Sequence, residues 1–338
     1  MADFEASEEY FTPEEQKLFL GQNIGEGFKY SALSHSDSIR VFVLEPSLDA
    51  TAPIYGEIVE HRLHSDSAKQ GYTALSYVWG DETDTHKIHI GVFQLRIGHN
   101  LNLALLNLRR QDYPIRLWVD ALCINQNDVS ERNHQVQQMR TIYSSAFETV
   151  IYLGGETGGN TQLSAWNFLE RHAGWAMNSN RDTDSGRPAE MESLTSFRGD
   201  LSDVEIDVLT RPWFKRLWVF QEVVVSKTLS IQCGSRGISW DDFCKILLLT
   251  PRHADIYGFS LESMEKLEIV RDMFQARCSY HELYGMDQSL PAWRFQVPTY
   301  KHKTPDILNC SKGLGFNSKL RTREIKYLAY LVSRAELM

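Results

Sequence analysis

The 338-residue chain carries 35 Lys and Arg against 44 Asp and Glu, a formal net charge of -9, and 42% of its residues are apolar. That balance describes a globular chain able to bury one large core or two smaller ones, and it excludes the basic footprint that a nucleic-acid partner requires. Cys123, Cys233, Cys244, Cys278 and Cys310 are scattered without a C-x-x-C pair, so neither a disulfide framework nor a cysteine-zinc site is expected. No apolar run approaches a membrane span and the acidic N-terminus carries no secretory signal, so the expectation is a soluble, cytoplasmic protein with no membrane partner.

Residues 1–38 are acidic and polar, with one weak helical patch from Pro13 to Leu20, and read as a loosely held arm. Ile39–Leu44 and Ile54–Glu60 cluster β-formers around Pro46, Ser47 and Asp49 and predict two strands added to a sheet edge. Tyr72–Trp79 is a more apolar strand, expected to be central, which stops at Gly80-Asp81. Lys87–Ile90 and Phe93–Ile97 flank Gly91 as a hairpin, and Asn100 is the expected cap of a helix carrying Leu101, Leu105 and Leu108.

The rest of the chain is arranged about Leu117–Gly155. Ile115–Asp120 predicts a strand buried on both faces. Asp128, three residues before Glu131, opens one helix with Val129, Val136, Met139, Tyr143 and Ala146 at helical spacing. Thr149–Leu153 is the next strand, ended by Gly154-Gly155, and the three elements form a parallel βαβ unit. Its ligand edge lies beyond the carboxyl ends of the strands, near Asp120, Asn125, Gln126 and Glu156.

A helix over Leu163–Trp175 then leads into Asn178–Ser196, too polar to bury much surface and read as a mobile loop. Pro212 in a first turn predicts one helix running through Trp213, Leu217 and Val224. A strand over Leu229–Cys233 follows, then helices over Trp240–Leu249, Leu261–Tyr280 and Arg323–Leu337. The domains expected are the arm 1–38, an α/β domain 39–233 with a mainly parallel central sheet flanked by helices and a mobile loop at 177–198, and a mostly helical extension 234–338.

IRVFVLEP from Ile39, YTALSYVWGD from Tyr72, LWVDALCINQND from Leu117 and RPWFKRLWVFQE from Arg211 stand in the order seen in the fungal heterokaryon-incompatibility (HET) domain family, which the chain resembles. RTREIKYLAYLV from Arg321 lacks the Asp-Pro and Gly-Leu of the family's C-terminal block. The resemblance implies fungal non-self recognition and programmed death of fused cells, with self-association and contacts to other incompatibility or NLR-type signalling proteins. More remotely the chain resembles TIR domains, implying a TIR-like or flavodoxin-like fold. ALSYVWGDETD is similar to the first TIR strand and loop, and WVDALCINQND takes the place of the second. Trp218, four residues before Glu222, is similar to the pattern that carries the catalytic glutamate of NAD-cleaving members.

Glu222 also stands out physically, as a carboxylate on a helix of Trp, Phe, Leu and Val. Cleaving the N-glycosidic bond to nicotinamide needs a carboxylate that stabilises an oxocarbenium-like transition state, and the pyridine leaves neutral without a general acid. NAD then enters as substrate, and no cofactor is required. The bland alternative pairs Glu222 with Arg216 or Arg211. Trp79, Gly80 and Asp81, with Asp120, Asn125, Gln126 and Trp218, are the candidate ligand contacts; equally, Gly80 ends a strand and the Asp and Asn residues fasten a loop. Cys123 with His134 or His86 would suit a hydrolase, but apolar neighbours favour a core thiol. His61 with His64, and His86 with His89, have i,i+3 spacing that shares no face on a strand, so no metal site is expected. A non-enzymatic module working by homotypic contacts is the rival class.

Overall fold

The computed structural model describes residues 28–64, 71–81, 83–156, 158–178, 202–216, 218–249 and 261–285, with Pro291 and Arg294; side chains of 174–178 and 261–266 are not described. Nine strands form one sheet: β1 Ser38–Leu44, β2 Tyr55–Arg62, β3 Thr73–Tyr77, β4 Thr85–Ile90, β5 Phe93–Gly98, β6 Ile115–Trp118, β7 Glu148–Tyr152, β8 Leu229–Cys233 and β9 Arg236–Ser239. Their order across the sheet is β5-β4-β2-β1-β6-β3-β7-β8-β9. β6, β3, β7 and β8 run parallel to one another, as do β2 and β4, while the four remaining neighbours are antiparallel. The sheet is therefore mixed rather than mainly parallel: the predicted parallel unit is its centre, and hairpins extend both sides.

β3 is central, as its composition predicts, paired with β6 on one side and β7 on the other. β1 is not at an edge. It lies inside the sheet between β2 and β6, and Ile39, Val41, Phe42 and Leu44 are all sealed. The edge belongs to the β4-β5 hairpin, turned at Gly91, which alternates exposed and buried residues as one-sided strands do. β9, not foreseen, continues the sheet to Ser239 by pairing with β8.

The helices are α1 His99–Leu108, α2 Asp120–Cys123, α3 Val129–Gln137, α4 Met139–Ser145, α5 Asn160–Asn178, α6 over 202–207, α7 Val219–Val225, α8 Trp240–Leu249 and α9 Leu261–Leu283. Asp128 caps α3 as expected, accepting the Glu131 N–H at 3.0 Å. The single helix predicted from there to Ala146 is two, parted at Gln138 where the Gln135 and Gln138 amides donate to the Ser38 and Ser36 carbonyls. Val129, placed on its apolar face, is 55% exposed. Residues 28–37, the described end of the predicted arm, are fastened: the Tyr30 hydroxyl donates to the Leu122 carbonyl at 3.0 Å and Asp37 accepts from Arg62. The rest of that arm, the loop 179–196 and the helix predicted at Arg323–Leu337 lie outside the described residues.

The helix predicted from Pro212 is also two elements. A 3-10 turn over Pro212–Lys215 buries Trp213 and Phe214, extended backbone follows at Arg216, and α7 starts afresh. α7 packs against α4 and α9. Its last carbonyls are closed from α9, where Arg277 donates to Val223 at 3.1 Å and to Ser226, and this fixes the helix that carries Glu222.

Candidate functional site

Ser76 is the polar interruption in the apolar strand β3. Its hydroxyl accepts the Trp213 indole N–H at 2.8 Å and donates to the Glu222 carboxylate, joining three separate elements. Glu222 is 3% exposed, and burial pushes its carboxyl above the ordinary range; Arg216 and hydrogen bonds from Ser76 and Tyr143 pull it back, while Asp120 adds to the rise. Arg216 gives a guanidinium N–H to the Tyr77 carbonyl, and Arg211 is paired with Asp207 at 3.2 Å. Among the described residues Glu222 has no direct ion pair.

Asp120 opens α2 just beyond β6. Its carboxylate accepts the Trp79 indole N–H at 2.9 Å and the Ala121 N–H at 2.8 Å, and burial raises its pKa against the pull of Arg216 and Trp79. Burial likewise raises the Tyr143 hydroxyl, with Glu222 and Asp120 adding to it. The Tyr77 hydroxyl, sealed nearby, has no hydrogen-bond partner among the described residues. The arrangement is thus one buried and one half-buried carboxylate under the field of one arginine, ringed by Ser76, Trp79, Tyr77 and Tyr143 at the carboxyl end of β3.

Of the residues expected to bind a ligand, Trp79 and Asp120 are joined to each other, and Asp120 bears on Glu222 electrostatically. Gly80 has φ +85°, and a Cβ there would meet Asn100 Nδ2 at 2.7 Å, so its missing side chain makes room for Asn100. Asn100 is not the cap of α1, which is Gly98, but donates to the Val78 carbonyl at 3.0 Å. Asp81 is exposed and accepts from the Thr83 N–H and hydroxyl at 2.8 Å. The Asn125 N–H goes to Glu131 at 2.7 Å, and buried Gln126 donates to the Asp120 carbonyl at 2.9 Å, so both fasten the loop. Trp218 is half-buried and accepts the Glu222 N–H through its carbonyl. Glu156 accepts from Ser235, away from these contacts. An open concavity on α5, lined by Asn160, Leu163, Ser164, Asn167 and Arg171, shares none of the cluster's residues.

Cys123 is sealed, its thiol pushed up to about 12 by burial, while His134 touches the Ser36 carbonyl and His86 touches His99. A thiol so placed is a core residue rather than a nucleophile. Sequence reasoning missed Ser76, Tyr77, Tyr143 and Trp213 as members of the cluster. A serine inside an apolar strand was the one readable signal.

Residues 72–222 match the model of the family described as Heterokaryon incompatibility protein (HET). The chain is similar to heterokaryon incompatibility protein 6, OR allele, of Neurospora crassa, at 30% identity over 249 residues that make up 64% of this chain and 36% of that protein. It therefore spans about a third of the length of the curated relative it matches. No solved structure matches. Among the described residues no helix is long and apolar enough to cross a membrane.

Proposed function

The chain carries a heterokaryon-incompatibility domain, and from that premise we propose that it serves fungal non-self recognition, signalling the death of incompatible fused cells through NAD cleavage by Glu222. The observation that supports this best is a buried glutamate with a raised pKa, held by Ser76 at the carboxyl end of β3 and not neutralised by a direct ion pair among the described residues. Numbered in chain order, the four central parallel strands run 2-1-3-4, the order that opens the doubly wound flavodoxin-like sheet. In that topology a ligand lies beyond the carboxyl ends of the strands, where Ser76, Glu222 and Asp120 meet.

In this reading the Glu222 carboxylate holds the nicotinamide ribose and stabilises positive charge at its anomeric carbon. The bond to the pyridine nitrogen breaks with its electron pair leaving on neutral nicotinamide, water adds to the anomeric carbon, and its proton passes to solvent. Asp120 with Trp79 supplies further ribose or adenine contacts. Self-association completes the cleft in the cytoplasm, and other incompatibility or NLR-type proteins relay the signal.

A second reading is favoured by the small exposure of Glu222 and by the hydroxyl already on it: a non-enzymatic module that recruits through homotypic contacts, with the cluster as core. Nicotinamide release from NAD, followed over a range of protein concentrations for the native chain beside Glu222→Gln, separates the two. The catalytic reading expects turnover that rises with concentration and falls about 100-fold or more in the variant. Turnover absent from both, with equal self-association, assigns the protein to the second class.

A further inference from the structure

Asp84, His86 and His99 come from a loop, a strand and the first residue of a helix, yet their side chains meet at one point on the β4-β5 hairpin. The ladder brings them there: Thr85 pairs with Gly98 and His86 with Ile97, and the His99 N–H donates to the Asp84 carbonyl at 3.0 Å. His86 Nε2 lies 3.0 Å from His99 Nδ1, and the Asp84 carboxylate oxygens lie 3.5 Å from the first and 3.3 Å from the second. Nitrogen and oxygen ligands bound at zinc's usual lengths stand about 3.3 Å apart around a tetrahedral ion. The nitrogen–nitrogen spacing and the two nitrogen–oxygen spacings, Oδ1 facing His86 and Oδ2 facing His99, lie near that length, and the three residues offer ligand atoms that all fall within 4.8 Å of one another. Two imidazoles and one carboxylate are also a donor set suited to a borderline cation.

We propose that Asp84, His86 and His99 form a zinc site, with the fourth position open to water. His86 and His99 side chains are 37% and 43% exposed and Asp84 59%, so the ion would have a route in and room for a solvent ligand. The ion fastens the hairpin to the start of α1, whose Asn100 holds the Val78 carbonyl one residue before Trp79, the partner of Asp120. Zinc would thus steady the loop that follows β3. The site stands on its own geometry and does not depend on NAD chemistry.

The test uses the full chain without a histidine tag, stripped with EDTA and titrated with Zn²⁺ by calorimetry and with Co²⁺ by visible absorption. One ion per chain, a four-coordinate cobalt band and a Tm raised by zinc are expected for the native chain. The same is expected of His89→Gln, which shares β4 with His86 but stacks its ring on Tyr55 of the neighbouring β2. His86→Gln, His99→Gln and Asp84→Asn should each weaken zinc at least tenfold and lose the band; exposed Asp84→Asn supplies a folded comparison should a histidine variant misfold. Zinc bound no more tightly by the native chain than by His86→Gln and Asp84→Asn overturns the proposal.

Discussion

Two helix-borne glutamates meet burial in different ways. Glu131, on α3, receives both guanidinium nitrogens of Arg40 at 2.5 and 2.9 Å and the Asn125 N–H at 2.7 Å, so its charge is matched by a charge and its oxygens by donors. Arg40 is itself sealed within β1, its plane over the Tyr30 ring. Glu222, on α7, receives a hydroxyl from Ser76, and Arg216, the arginine whose field reaches it, gives a hydrogen bond to a backbone carbonyl instead. The first pairing is a fastening that closes β1, the 28–37 segment and the Asn125 loop into one unit. The second leaves a carboxylate whose ionisation is opposed by burial and by Asp120. Burial alone says nothing about role; the partner decides it.

The largest effect that tests this contrast is Glu131→Ala. It strands Arg40 in a sealed strand, and urea denaturation should register a loss of about 3–5 kcal/mol. A loss below about 1 kcal/mol would put this pair on a par with surface pairs and remove the contrast. Next is Ser76→Ala, which deprives the Trp213 indole and Glu222 of their shared hydroxyl; about 1–3 kcal/mol should be lost, with the Glu222 carboxyl titrating still higher by NMR.

The smallest effect is the sharpest in sign. Because Glu222 titrates above its ordinary range in the fold, the folded chain keeps a proton that the unfolded chain has released, and stability falls as pH rises from the ordinary carboxylate range to the raised value. Glu222→Gln should therefore unfold at a higher temperature than the native chain near pH 7.5, and the gap should close toward about pH 4. A gap that stays constant across that range, followed by thermal unfolding, would mean that Glu222 is as well neutralised as Glu131.

Much of the fold was legible along the chain. β3, β6, β7 and the β4-β5 hairpin stand where apolar runs and Gly91 place them, and Asp128 caps its helix. The neighbours of β1 were not, since an apolar strand says that it is covered and not by what. Nor was the break at Gln138, where an unbroken helical period is overruled by two amides bonded to residues about a hundred positions away. Within the site, Glu222, Asp120 and Trp79 could be singled out as polar groups at strand ends or on an apolar helix. Asn125 and Gln126 carry the same signal yet serve the loop, because a side-chain amide bonds whichever backbone lies nearest.

The sequence by itself determined a globular α/β protein with a parallel centre, a helix carrying an improbable glutamate and a family resemblance strong enough to name, because periodicity, capping and turn chemistry are local. Only the tertiary structure decided that Ser76, Trp213 and Glu222 share one hydroxyl, that Arg40 answers Glu131, and that His86 faces His99 rather than His89. Those pairings depend on strand order and register, which set distances between residues that the chain itself keeps far apart.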